Sequence, residues 1–133
     1  MRVTLDTNVY ISALNFGGGA ARLLGMARAG MIHIDISGHI EGEIVRVLRE
    51  DFGWEGYRLH FMREGLAKIT HRVTPSHTVN VVDDPDDNRI IECAIAAGSD
   101  CIVTNDKALL RLGQYEGIPI IRLADFLQHG MER

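Results

Sequence analysis

Residues 83–112 read DDPDDNRIIECAIAAGSDCIVTNDKALLRL, and the order of signals within them decides the fold. Asp83–Asp87 places four aspartates around one proline in five residues. The spacing of Ile90, Ile91, Ala94, Ile95 and Ala97 behind them predicts a helix that begins near Asp86 and is closed by Gly98. Cys101–Thr104 is then a short apolar run with β-branched residues, the pattern of a buried strand, and Lys107–Leu112 returns to a helix. Helix, wholly apolar strand and helix in succession is the repeating unit of a parallel sheet covered on both faces.

The rest of the chain repeats that unit. Residues 2–5 predict a short buried strand, and residues 19–29 a helix with Leu23, Leu24 and Ala27 on one side and Gly30 as its stop. Residues 32–36 alternate as a strand. Ser37 is placed to cap the helix that follows, whose stripe of Ile40, Ile44, Val47 and Leu48 runs toward Arg49. Residues 54–69 form another amphipathic helix, with Tyr57, Phe61, Met62, Leu66 and Ile69 recurring along it. Residues 72–75 give a further short strand. Residues 118–122 give the last one, with Pro119 near its start, and residues 124–128 a final helical turn or two. The prediction is an α/β fold: three layers, α/β/α, around a central mainly parallel sheet of four or five strands, in one domain spanning residues 1–133.

Composition narrows the functional classes. At 133 residues and 46% hydrophobic the chain holds enough apolar material for one core. Its apolar runs are far shorter than a membrane span, and the opening MRVTLDTN carries an aspartate where a signal peptide needs an apolar stretch, so the expected compartment is the cytoplasm. A net charge of -4 speaks against a surface that coats nucleic acid indiscriminately. Cys93 and Cys101 are too few and too far apart for a CxxC site, and both lie in apolar segments where a thiol packs as a small hydrophobe. The six histidines show no paired metal spacing and read as surface or partly packed residues.

The acids fall where such sheets place ligands, beyond the carboxyl ends of strands. Asp6 directly follows the first strand and Asp106 follows CIVT. Asp84 and Asp87, three apart, share a face of the first turn of their helix. Glu43 sits beside the buried stripe of its helix and can join them. Each has a plain alternative: Asp6 and Asn8 can close a turn, Glu43 can be a solvated helix charge, and Asp84 and Asp106 can cap helices. Gathered together, the acids would repel strongly, and a hard divalent cation, Mg²⁺ or Mn²⁺, would relieve them. One or two such ions acidify bound water and stabilise charge on a phosphodiester, which points to hydrolysis of a nucleic-acid backbone.

Four stretches in this order carry a resemblance: LDTNVYISAL at 5–14, SGHIEGEIVRVL at 37–48, the 83–112 stretch, and GIPIIRLADFL at 117–127. Together they resemble the PIN-domain family (PilT N-terminus-like), in particular its branch of toxin components of prokaryotic toxin–antitoxin pairs. DTN alone is a weak signal; the ordered set of four is specific. The resemblance implies a metal-dependent endoribonuclease acting on single-stranded RNA, frequent homodimers and an antitoxin protein as partner. It maps the acidic set onto Asp6, Glu43, Asp87 and Asp106, with Asp84 as an accessory metal ligand and Asn8 and Thr104 as flanking polar residues. Asn105 stands where that branch often has glycine, a change that asparagine, tolerant of left-handed backbone, can absorb.

RNA contacts are expected from Arg22, Arg46, Lys107 and Arg111, on helices whose loops open toward the acids. Trp54, Tyr57 and Phe61 lie on one helical period, which favours packing over base stacking. Rivals come from other classes. A phosphorelay receiver needs adjacent acids after its first strand, and LDTN supplies one. A haloacid-dehalogenase-type phosphatase needs DxD where this chain has Asp6-Thr7-Asn8. A non-catalytic interaction module, its acids facing a basic partner, is the third.

Overall fold

The computed structural model describes residues 1–129. Its centre is a six-stranded sheet, formed by β1 (Arg2–Leu5), β2 (His33–Ser37), β3 (Thr70–Val73), β4 (Cys101–Thr104), β5 (Gln114–Tyr115) and β6 (Ile118–Arg122), in the order β3-β2-β1-β4-β6-β5. All pairings are parallel except β5 with β6. The five parallel strands are those the sequence predicts, with β3 starting two residues earlier. β5 is an addition. Its hairpin turns on Glu116 and Gly117, at φ 48° and 82°, the left-handed pair that a two-residue hairpin needs.

Seven helices connect and cover the strands: α1 (Thr7–Asn15), α2 (Gly18–Arg28), α3 (Gly38–Phe52), α4 (Gly56–Ile69), α5 (Pro85–Ala97), α6 (Lys107–Leu112) and α7 (Leu123–His129). α1 was not expected. Its nine residues carry Val9 and Ile11, β-branched side chains with weak helix preference, behind a polar DTN that reads as a turn. Burial of Val9, Tyr10 and Ile11 and packing on α2 and α3 supply what propensity does not. α5 ends as the sequence implies, at Gly98 in left-handed backbone, and α3 runs past Arg49 to Phe52, where Gly53 closes it in the same way.

β1, β2 and β4 are almost wholly buried. Their pairing sets Val3, Ile34 and Cys101 at one level and Thr4, Asp35 and Ile102 at the next, so the two levels face opposite sides of the sheet. On the Thr4 side, Thr4 reaches Ser99 and the Cys93 thiol of α5. Burial pushes that thiol up to about 12, so it is an inert core group; Cys93 and Cys101 are both buried. The aromatic stripe divides: Trp54 is buried with the Arg58 guanidinium 3.8 Å over its ring, whereas Tyr57 and Phe61 stack on each other in the open. No helix among the described residues is long and apolar enough to cross a membrane.

Candidate active site

β1 has β2 on one side and β4 on the other, and the chain leaves β1 for α1 and β4 for α6. This is the switch point of the sheet, where two diverging connections open a crevice beyond the strand ends. Asp6 is the first residue past β1 and Asp106 the second past β4. The Asp6 amide donates to the Val103 carbonyl at 3.0 Å, extending the β1–β4 ladder by one rung and fixing where the Asp6 side chain starts.

The three aspartates at helix starts use their carboxyls differently. Asp84 caps α5 by accepting from the Asp86 amide at 2.9 Å, and Asp106 caps α6 by accepting from the Leu109 amide at 2.9 Å. Asp6 occupies the same position before α1 and makes no such cap. Its Oδ2 instead accepts from the Thr104 hydroxyl at 2.6 Å, and that hydroxyl in turn accepts from the Asp106 amide at 2.9 Å. One threonine at the end of β4 therefore ties both strand-end acids together. The capping reading of Asp84 and Asp106 holds, while Asp6 at the equivalent place spends its carboxylate on Thr104.

Asp87, buried in the first turn of α5, completes the group. Its carboxyl is pushed up to about 7, first by burial, then by sharing a proton with Asp106 and by the charges of Asp106, Asp6 and Asp84. Asp6 is raised by burial and by Asp106, against the Thr104 hydroxyl and the Asn8 and Thr7 amides, which favour its charge. Among the described residues no lysine or arginine pairs with Asp6, Asp84, Asp87 or Asp106. The donor set is all oxygen, and among the described residues no protein cation offsets its mutual repulsion. It fits a hard divalent cation.

Beside Asp106 opens a cavity of about 380 Å³ lined by Asn8, Ser12, Asn105 and Lys107 among others. Asn105 does not take the left-handed backbone that its place in the motif suggested, since Glu116 is the one non-glycine with positive φ among the described residues. Its side chain accepts from the Leu123 amide at 3.3 Å, tying the β4–α6 loop to α7.

Glu43 stands apart from the other acids' contacts. It lies on α3 with His39, the two facing Asp86 of α5 with donor atoms of the three within 4.8 Å of one another, and Arg46 forks onto its carboxylate while also reaching Glu50 at 2.8 Å. Arg46 is thus engaged with acids of its own helix. Arg22 and Arg111 are exposed on α2 and α6, and no hydrogen bond or ion pair among the described residues joins them to the acids. Lys107 is the expected cation that does line the cavity.

Sequence reasoning passed over three residues here. Asn88 is buried at the start of α5; its Oδ1 accepts from the Val81 and Val82 amides at 3.0 and 3.1 Å and its Nδ2 donates to the Val82 carbonyl at 2.9 Å, holding the approach to Asp84 and Asp87. A polar residue on the face shared with Ile91 and Ile95 was the available signal. His39 and Asp86 are the others, and the four-residue step from His39 to Glu43, one turn of helix, was theirs.

A family model described as PIN domain matches residues 2–108. No curated protein matches the chain. Among solved structures, a chain of the crystal structure of VapBC2 from Rickettsia felis bound to a DNA fragment from their promoter is similar with a TM-score of 0.62, over 92% of this chain and 98% of that one, at 16% identity. At that identity the likeness is one of fold.

Proposed function

Since the chain belongs to the PIN-domain family, we propose that it is a metal-dependent ribonuclease that hydrolyses phosphodiester bonds of single-stranded RNA, acting as the toxin of a toxin–antitoxin pair. The observation that carries this reading is the convergence of Asp6, Asp87 and Asp106 at the switch point of the sheet with no protein cation to offset them. Asp6, Asp87 and Asp106 would hold Mg²⁺ or Mn²⁺, one ion or two, with Asp84 alongside and Glu43 on the Asp86 side. Such an ion supplies an acidified water and stabilises charge growing on the phosphodiester.

The chain's own residues do the rest. Thr104 holds the Asp6 carboxylate in one orientation and charged by donating to it. The caps at Asp84 and Asp106 fix the starts of α5 and α6, so the acids ride on rigid elements. The raised Asp87 carboxyl holds its proton more tightly than an ordinary aspartate, and that proton must leave before it can serve as a ligand. Lys107, exposed on the cavity wall, is placed to meet a neighbouring phosphate of the substrate strand.

The antitoxin partner rests on the motif resemblance, with support from the fold shared with a chain of a complex that binds promoter DNA. A homodimer and a cytoplasmic setting belong to the same reading. Labelled single-stranded RNA incubated with the purified protein should be cut in Mn²⁺ and left whole in chelator, and Asp6→Asn should lose cleavage while keeping the wild-type fold by circular dichroism. Absence of metal-dependent cleavage at stoichiometric protein, or normal cleavage by Asp6→Asn, overturns the reading and leaves a non-catalytic interaction module.

A further inference from the structure

The cavity of about 380 Å³ beside Asp106 falls within the size range of small-ligand sites, about 300–1,000 Å³, and its walls differ in chemistry. Val9 and Leu123 are apolar. Asp106 and Lys107 are charged, and in the nuclease reading they are taken by metal and phosphate. Asn8, Ser12 and Asn105 are polar and neutral. Asn8 and Ser12 stand one turn apart on α1, so both face the same side. Apolar walls with a few neutral hydrogen-bonding groups suit a flat heterocycle better than a second phosphate.

Asn105 decides which heterocycle fits. Its carboxamide meets the Leu123 amide at 3.3 Å. A backbone amide can only donate, so the Asn105 oxygen must face Leu123 and Nδ2 must face away from it. Among the described residues no acceptor is bonded to that Nδ2. Asparagine ordinarily reads adenine by turning its oxygen and nitrogen together onto the base. Here the oxygen is held toward α7, and what remains for a base is a pair of N–H donors.

We propose that this cavity receives the base of a nucleotide next to the cut bond, and that Asn105 selects a keto base, guanine or uracil, over an amino base, adenine or cytosine. Guanine O6 and uracil O4 can accept from Nδ2. At the equivalent places adenine and cytosine carry amino groups, so donor would meet donor. A single strand can turn a base out of its stack into such a pocket, which a duplex resists. Val9 and Leu123 offer the ring apolar contact, and the Ser12 hydroxyl, able to donate or accept, suits a second polar group on the base. The inference rests on the nuclease reading and adds to it a reason for choosing among RNAs.

The test is a set of short single-stranded RNAs in which each position flanking the cut bond is set in turn to A, C, G and U. Cleavage in Mn²⁺ is followed as kcat/KM for the wild-type protein, Asn105→Asp and Asn105→Gly. At one flanking position wild type should favour G and U over A and C by about tenfold, the cost of setting a donor against a donor. Asn105→Asp keeps an oxygen for the Leu123 amide and sets an acceptor where Nδ2 stood. It should turn the preference toward A and C, whatever its added charge does to the overall rate. Asn105→Gly should flatten the preference. An asparagine that only ties the loop to α7 would move none of these ratios. Equal cutting of every base by wild type, or a preference unchanged in Asn105→Asp, overturns the pocket and leaves the nuclease reading standing. Absence of cleavage of every strand overturns the nuclease reading, and the pocket falls with it.

Discussion

Asp35 within the sheet and the aspartates gathered beyond the ends of β1 and β4 are treated in opposite ways. Toward the amino-terminal end of β1, Asp35 has no exposed surface, and each of its oxygens is served: Oδ1 accepts from the Arg2 guanidinium and Oδ2 from the Ser99 hydroxyl at 2.8 Å. Ser99 in turn meets Thr4 at 2.8 Å, and the Arg2 amide reaches Asp100 at 2.8 Å. At the carboxyl-terminal ends, Asp6, Asp87 and Asp106 meet with one hydroxyl and a shared proton among them. A buried carboxylate given an arginine is there to hold the sheet together. Two buried carboxylates and a half-buried one, left without a cation, hold charge in reserve for something the protein does not supply.

Neutralising one member of each group should therefore move stability in opposite directions. Asp35→Asn keeps the shape but leaves the Arg2 charge without its partner. Loss of a buried ion pair costs about 3 to 5 kcal/mol, and Arg2, a third exposed, puts this variant at the lower end. Asp6→Asn removes a repulsion and should leave the metal-free protein as stable as wild type or more so. Thermal unfolding of both variants in chelator is the check. A destabilised Asp6→Asn with an unaffected Asp35→Asn would reverse the assignment of the two groups.

Much of this contrast was legible in the sequence because the signals are local. CIVT between Gly98 and Asp106 fixes β4, and the rule that ligands gather beyond strand ends puts Asp6 and Asp106 together although they are far apart in the chain. Asp87 follows from its place in the first turn of α5. What stayed hidden depends on packing. α1 has β-branched residues and no capping side chain, so its burial against α2 and α3 makes it a helix. Glu43 could be placed on its helix, but its neighbours are decided by how α3 leans on α5, which no spacing within α3 encodes. Asn105 illustrates the same limit. Its motif position suggested a backbone role, whereas a side-chain bond to α7, eighteen residues on, is what the structure uses.

The next effect is smaller and carries a pH signature. The Asp87 carboxyl moves from an ordinary 3.8 in the unfolded chain up to about 7 in the folded one. Below about pH 4 both states hold the proton and Asp87 adds nothing to the pH dependence. As the pH rises from about 4 to 7, the unfolded chain has given its proton up while the folded one still holds it, so the folded state loses stability over that window. At about 1.4 kcal/mol per unit the full shift would amount to about 4 kcal/mol, and solvent screening and the coupling among the aspartates bring the expected loss to about 2 to 3 kcal/mol by pH 8. Asp87→Asn should flatten the metal-free unfolding profile between pH 4 and 8 and be the more stable protein at the alkaline end. Identical pH profiles for variant and wild type would show that the aspartates do not feel one another.

Thr104 gives the finest test, because it is the one uncharged side chain that the carboxylate group depends on. Its hydroxyl donates to Asp6 and accepts from the Asp106 amide, so Thr104→Val removes both bonds while keeping the β-branched shape that β4 prefers. A hydrogen bond to a charged group is worth about 1.5 to 3 kcal/mol, and a valine that fills the same space should cost near the lower figure. A purely structural hydroxyl would lose that stability and nothing more. An orienting one should also weaken Mn²⁺ binding by about 10- to 100-fold, since Asp6 is then free to rotate and easier to protonate. Thr104→Ser, which keeps the hydroxyl and loses the methyl, should recover most of the Mn²⁺ affinity but not all of the stability. Manganese titrations of the two variants, followed by the resonance of the free ion, separate the roles: equal affinity in valine and serine forms would reduce Thr104 to a rung of the sheet.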